Sequence, residues 1–374
     1  MIPVNTPLLD GNEEKYVLEC LRTGWISSEG PFVERFEREV AQYVGRKHGI
    51  AVANGSAALD VAVCAAGIGP GDEVIMPSFT IISPATSVVR AGGVPVLVDS
   101  DPITWNIDVT QIEQKITAKT KAIIVVHIYG LPSNLDVVLE IARRHHLKVI
   151  EDAAEMHGQT YRGRPCGSFG LLSTFSFYPN KHITTGEGGM VLTDDDDVAE
   201  HCRRLRNLCF QPPRRFVHEE LGWNYRMTNL QAALGVAQLE KLTPHIERKR
   251  RMGRRYQQLL EGTPGIQLPA PSAEYAESIY WVFGVLLDPD LYPPATEVMA
   301  QLAQRGIGTR PFFYPMHRQP VFLKRGWYAG EQYPVADKLG DYGFYLPSGL
   351  ALTDSDQVTA ATALRDLLRQ SIKQ

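Results

Sequence analysis

Over the first two-thirds of the chain, short β-branched runs alternate with longer stretches of helical periodicity, and that alternation leaves few folds open. Parallel strands need a long crossover, usually a helix, so the pattern predicts an α/β unit whose sheet is mostly parallel and flanked by helices. Seven strands are expected, at residues 50–53, 73–76, 95–98, 122–127, 149–151, 174–177 and 189–193. Between them Phe32, Val33, Phe36, Val40, Tyr43 and Val44 recur at helical spacing, as do Leu59, Val63 and Ala66. These are core faces and carry no chemistry.

Near Leu242-Thr243-Pro244 the pattern changes, and the expected division is a large unit over residues 1–244 and a smaller α+β unit over residues 245–374. The second should hold a strand at 280–287, a helix at 295–305, a short strand at 308–310 and a closing helix at 355–369. The basic cluster Arg248-Lys249-Arg250-Arg251, beside Glu247, reads as a solvated helix face.

Composition narrows the function. With 44% hydrophobic and 21% charged residues, the 374-residue chain has the make-up of a globular enzyme, and a net charge of -4 makes nucleic acid an unexpected partner. The longest apolar run in the middle of the chain, Ala122 to Val126, is far too short to span a bilayer, and Met1-Ile2-Pro3-Val4 shows no basic lead into an apolar segment. A cytoplasmic protein with no membrane partner is expected. Five cysteines (Cys20, Cys64, Cys166, Cys202, Cys209) without C-x-x-C pairing read as buried thiols, and no metal-ligand spacing or G-x-S-x-G elbow is present.

Three places carry chemistry. Val149-Ile150-Glu151-Asp152 is a strand ending in acids, where an Asp can either cap a following helix or pair with a protonated ring nitrogen. Lys181 sits between the strand ending in Ser176-Phe177 and the turn Gly186-Glu187-Gly188-Gly189, so it is either an exposed loop lysine or an amine held in a crevice to form a Schiff base. Asn54-Gly55-Ser56 opens a helix, as a simple N-cap or as an anion site to which Ser176 adds a donor. Taken together, an anion site, an acid for a ring nitrogen and a Schiff-base lysine describe pyridoxal 5'-phosphate (PLP).

The segments NGSAALDVA, GDEVIMPSFT, VHIYG, IEDAAEMHG, FSFYPNKHITTGEGGM, GWNYRMTNLQAALGVAQL and TRPFFYPMH, in that order, resemble the nucleotide-sugar aminotransferases of the DegT/StrS group. That resemblance implies a fold-type I PLP enzyme. It makes Lys181 the covalent anchor, Asp152 the partner of the ring nitrogen, and Gly55, Ser56 and Ser176 the phosphate ligands. Asn224, in Gly222-Trp223-Asn224-Tyr225-Arg226-Met227, would reach the phosphate from the neighbouring subunit of a homodimer; without the family it reads equally as part of a polar turn.

Two positions depart from the group's pattern. Glu155 stands where many members have Gln, and next to a phenolate-like oxygen one of the two groups must carry a proton. Where many members stack an aromatic ring on the cofactor, this chain has Ile81, or Phe79 if the alignment shifts. His157 and His317, with Tyr314, are candidates for substrate contact, and His127 for proximity to the cofactor; each histidine reads more readily as an ordinary loop or strand-end histidine. Relatives that act as dehydratases replace the lysine with His, and Lys181 disfavours that reaction. The expected substrates are L-glutamate and a nucleotide-linked keto-deoxysugar. The likeness points most to GDP-4-keto-6-deoxymannose on a route to surface polysaccharide (O-antigen), with dTDP- or UDP-linked 3- or 4-keto sugars as alternatives and a catalytically silent regulator as the rival from another class.

Overall fold

The structure, a computed structural model, describes residues 1–371. All seven expected runs form strands: β1 (His48–Val52), β2 (Glu73–Pro77), β3 (Val94–Val98), β4 (Thr120–Val126), β5 (Lys148–Asp152), β6 (Leu172–Ser176) and β7 (Gly189–Thr193). They pair as one sheet in the order β1-β7-β6-β5-β4-β2-β3, in which β7 alone is reversed, antiparallel to both β1 and β6. A parallel return would need a crossover, but β6 and β7 are joined by a helix-free loop. That loop carries Lys181 away from the carboxyl end of β6, next to the carboxyl end of β5 and Asp152.

The helices of this unit are α1 (Glu13–Thr23), α2 (Pro31–Val44), α3 (Gly55–Ala65), α4 (Ser83–Arg90), α5 (Leu135–Arg144), α6 (Asp196–Arg206) and α7 (Asn229–Glu240). They cover both faces of the sheet. Ala122, Ile124 and Val126 of β4 enter one hydrophobic cluster, whereas Ile123 and Val125 enter the other. A strand buried on both sides reads as a continuous apolar run, which is why β4 is plain in the sequence.

Helix α8 (Leu242–Leu260) starts where the pattern changes. After it β8 (Ile266–Gln267), β9 (Phe283–Leu287), β10 (Arg310–Pro311) and β11 (Gly343–Leu346) form an antiparallel sheet in the order β8-β9-β11-β10, accompanied by helices Ala295–Gln304 and Asp354–Ser371. A separate cluster that includes Tyr256, Phe283, Val298, Phe344 and Leu364 forms its core. The expected strand at 308–310 begins two residues later, and β11 was not anticipated, being only four residues between a helix and a turn. We propose the division at α8, with the N-terminal arm lying on the second unit: Ile2 bridges Ile307, and the Ser348 N–H donates to the Val4 carbonyl.

The solvated-face reading of the basic cluster needs correction at one residue. Lys249 is 3% exposed, and its Nζ donates to the carbonyls of Trp281 (2.6 Å) and Ser348. Helical spacing puts it on the buried stripe with His245, Ile246, Met252 and Tyr256. With no carboxylate paired to it among the described residues, burial pulls its pKa down to about 7.

Candidate active site

At the carboxyl ends of β5 and β6 lies a cavity of about 820 Å³, floored by the first unit and closed on one side by the second. In parallel sheets this is the side on which ligands bind. Asp152 ends β5 and is buried, and no helix follows it, so it is not a helix cap. Its Oδ1 accepts from the Ala154 N–H (3.2 Å) and the Thr174 hydroxyl (3.4 Å). Burial raises its pKa, opposed by the Ala154 N–H, the Lys181 ammonium and His127.

Lys181 is held inside rather than in water. Its Nζ lies 3.9 Å from Glu155 Oε1 and 3.9 Å from the centroid of the Trp281 ring. Burial lowers its pKa, while Glu155 and Asp152 act the other way. Glu155 accepts the Tyr129 N–H at 2.7 Å, and burial pushes its pKa up to about 8 against the pull of Lys181. Burial thus shifts Glu155 toward its protonated form, the form in which a carboxyl group in place of Gln can sit beside an anionic oxygen.

This shift has a measurable sign. Between an unfolded value near 4.5 and a folded value of about 8, the folded chain holds a proton that the unfolded chain has lost, so this group's contribution to stability falls as pH rises through that window. Glu155→Gln keeps the shape and never ionises. Thermal unfolding of the cofactor-free protein should show the variant gaining on the wild type from pH 5 to pH 8.5, by about 1–2 °C per kcal/mol. A constant difference across that range would contradict the buried, protonated assignment.

Helix α3 faces the cavity with its N-terminus. Asn54 is the cap, its Oδ1 accepting the Ala57 N–H at 2.8 Å, which leaves the Gly55 and Ser56 amides and the Ser56 hydroxyl on the cavity wall. The Ser56 Oγ lies 2.8 Å from that of Ser83. Ser176 stands opposite, and a Cβ at position 55 would come within 2.7 Å of the Ser176 Cβ, so only glycine lets the helix end approach β6 this closely.

The structure thus gathers Gly55, Ser56, Asp152, Glu155, Ser176, Lys181 and Tyr314 in one cavity, with His127 at its edge. His127 is fixed between Glu151 (3.0 Å) and the Ser133 N–H (3.1 Å). Ile81, rather than the fully buried Phe79, lies on the cavity wall. Two candidates for substrate contact lie elsewhere. His157 is buried among Phe175, Phe177 and His182, and His317 is locked between Ser78 Oγ (2.8 Å) and Asp337 (3.1 Å). Asn224 is exposed, accepts from Arg226 Nε and does not line the cavity of its own chain. Sequence reasoning missed Trp281, Arg310 and Tyr345 from the second unit; Trp281 sat inside an expected strand and read as core.

The sequence profile of the DegT/DnrJ/EryC1/StrS aminotransferase family matches residues 7–365. The chain belongs to this family. It is 46% identical over 367 residues to a GDP-perosamine synthase of Caulobacter vibrioides, covering 98% of each chain, and 39% identical over 365 residues to one of Escherichia coli O157:H7, again covering 98% of each. Among solved structures it is similar to DesV of S. venezuelae, with 34% identity and a TM-score of 0.87 over 96% of this chain and 94% of that one. As a DegT/StrS protein the chain is a PLP-dependent sugar aminotransferase. Among the described residues no helix is long and apolar enough to cross a membrane.

Proposed function

We propose that this aminotransferase moves the amino group of L-glutamate to C4 of GDP-4-keto-6-deoxymannose, giving GDP-perosamine for surface polysaccharide, in the cytoplasm and as a homodimer with shared sites. The observation that carries the reading is Lys181 enclosed in one cavity with Asp152, Glu155 and the open end of α3. The identity to GDP-perosamine synthases supports the substrate.

The cavity fits PLP by its donor set. Free amides and a hydroxyl at a helix N-terminus suit a phosphate, and the glycine at position 55 keeps that cradle open against Ser176. When bound, PLP supplies an electron sink and carries the amino group from one substrate to the other. Gly55, Ser56 and Ser176 would hold the phosphate, Asp152 would keep the proton on the ring nitrogen, and Glu155 would donate to the ring oxygen. Lys181 would be the covalent anchor, and as a free amine it would take the proton from the substrate carbon and return it. Ile81 gives the wall an apolar surface, and Tyr314, exposed on the same wall, would contact the sugar nucleotide.

A panel of GDP-, dTDP- and UDP-linked keto sugars assayed with glutamate tests the substrate. Fastest turnover is expected with GDP-4-keto-6-deoxymannose; a faster dTDP or UDP sugar would overturn the nucleotide assignment, and no turnover with any would favour a silent protein. Asn224 tests the shared site. Lys181→Ala and an Asn224→Trp variant, each inactive alone, should regain up to about a quarter of wild-type activity after subunit exchange, because one of the two sites in a mixed dimer is then intact. Absence of rescue after demonstrated exchange would contradict the contribution from the partner subunit.

A further inference from the structure

We propose that Trp281 is a positioning residue for Lys181, holding the amine over its ring and tying the lysine loop to the second unit. The inference rests on Lys181 being the covalent anchor. An ammonium on a four-carbon stem is mobile unless something confines it, and the Lys181 Nζ sits 3.9 Å from the centroid of the Trp281 ring, well inside the range of attraction to the ring face. The same indole reaches the loop backbone: its Nε1–H donates to the carbonyl of Asn180, the residue before Lys181, at 2.7 Å. One side chain therefore fixes both the stem's origin and its tip.

Trp281 is itself anchored from below. Its carbonyl accepts Lys249 Nζ, which also donates to the Ser348 carbonyl, and the Ser348 Oγ accepts the Phe283 N–H at 2.9 Å. On the other side the segment presses on Gly130, whose carbonyl accepts the Ile279 N–H at 3.0 Å and where a Cβ would lie 2.6 Å from the Trp281 nitrogen. Both contacts hold the backbone at residues 280–281, so the indole projects from a fixed point.

The test follows covalent capture instead of turnover. Full-length protein is stripped of cofactor and PLP is added back; borohydride is applied at intervals, and the modified Lys181 peptide is quantified by mass. Trp281→Leu should slow capture about tenfold, and Trp281→Phe, which keeps a ring face but loses the second ring and the N–H to Asn180, should fall between it and the wild type. Trp281→Met, a flexible side chain with no ring, repeats the measurement should the Leu variant fail to fold. Capture at the wild-type rate in either non-aromatic variant would overturn the role. A wild-type protein that captures no PLP at Lys181 would instead contradict the anchor assignment on which the inference depends.

Discussion

Lys181→Ala is expected to lose transamination by roughly 10⁴-fold or more, the scale seen when a covalent nucleophile is deleted. The same variant should lose the borohydride-trappable attachment of PLP. Both follow from placement: Lys181 Nζ is enclosed with two carboxyl groups and an aromatic ring, and no other lysine lines the cavity among the described residues. Burial lowers its pKa, which eases the loss of a proton that any nucleophilic amine requires. Because the amine ends a long stem, alanine removes chemistry with little change to the sheet beneath. An adduct of wild-type yield in Lys181→Ala would show that another residue is the anchor.

Asp152→Asn should slow the glutamate half-reaction by roughly 10²–10³, the cost of deleting one well-placed electrostatic group in an enclosed site. Cofactor affinity should change far less, because the phosphate contacts at α3 and Ser176 are untouched. The neighbours make this a test of charge. Asn keeps an oxygen to accept from the Ala154 N–H and the Thr174 hydroxyl, and it loses only the ability to hold a proton on a ring nitrogen. Rapid single-turnover kinetics distinguish the two effects, and a near-normal rate with bound cofactor would sink the role.

The first unit was legible because its strands are buried on both faces and so appear as unbroken apolar runs. The placement of Asp152 and Lys181 follows a related rule, since one ends such a run and the other lies in the loop beyond one, where a ligand face opens; their suggested roles came from the family resemblance. Lys249 was not, since four adjacent basic residues look like a solvated surface until the 3.6-residue period sets one of them beside Met252 and Tyr256. The structural reading of His317 could not be chosen from sequence because its partner Asp337 lies on a helix twenty residues away, and nothing local signals that contact. Trp281 escaped because an aromatic residue at the start of a strand reads as core; only the packing of the second unit against the lysine loop turns its ring toward Nζ.

The central claim is that this chain passes the amino group of glutamate to a GDP-linked keto sugar through the Lys181 site. The most direct measurement is isotope transfer: the PLP-loaded protein is given ¹⁵N-glutamate, the excess donor is removed, and GDP-4-keto-6-deoxymannose is then added. The account predicts one 2-oxoglutarate released per active site before any sugar is present, followed by ¹⁵N on the sugar at C4. Failure to release 2-oxoglutarate until the sugar is added, or an amino sugar without the label, would contradict it.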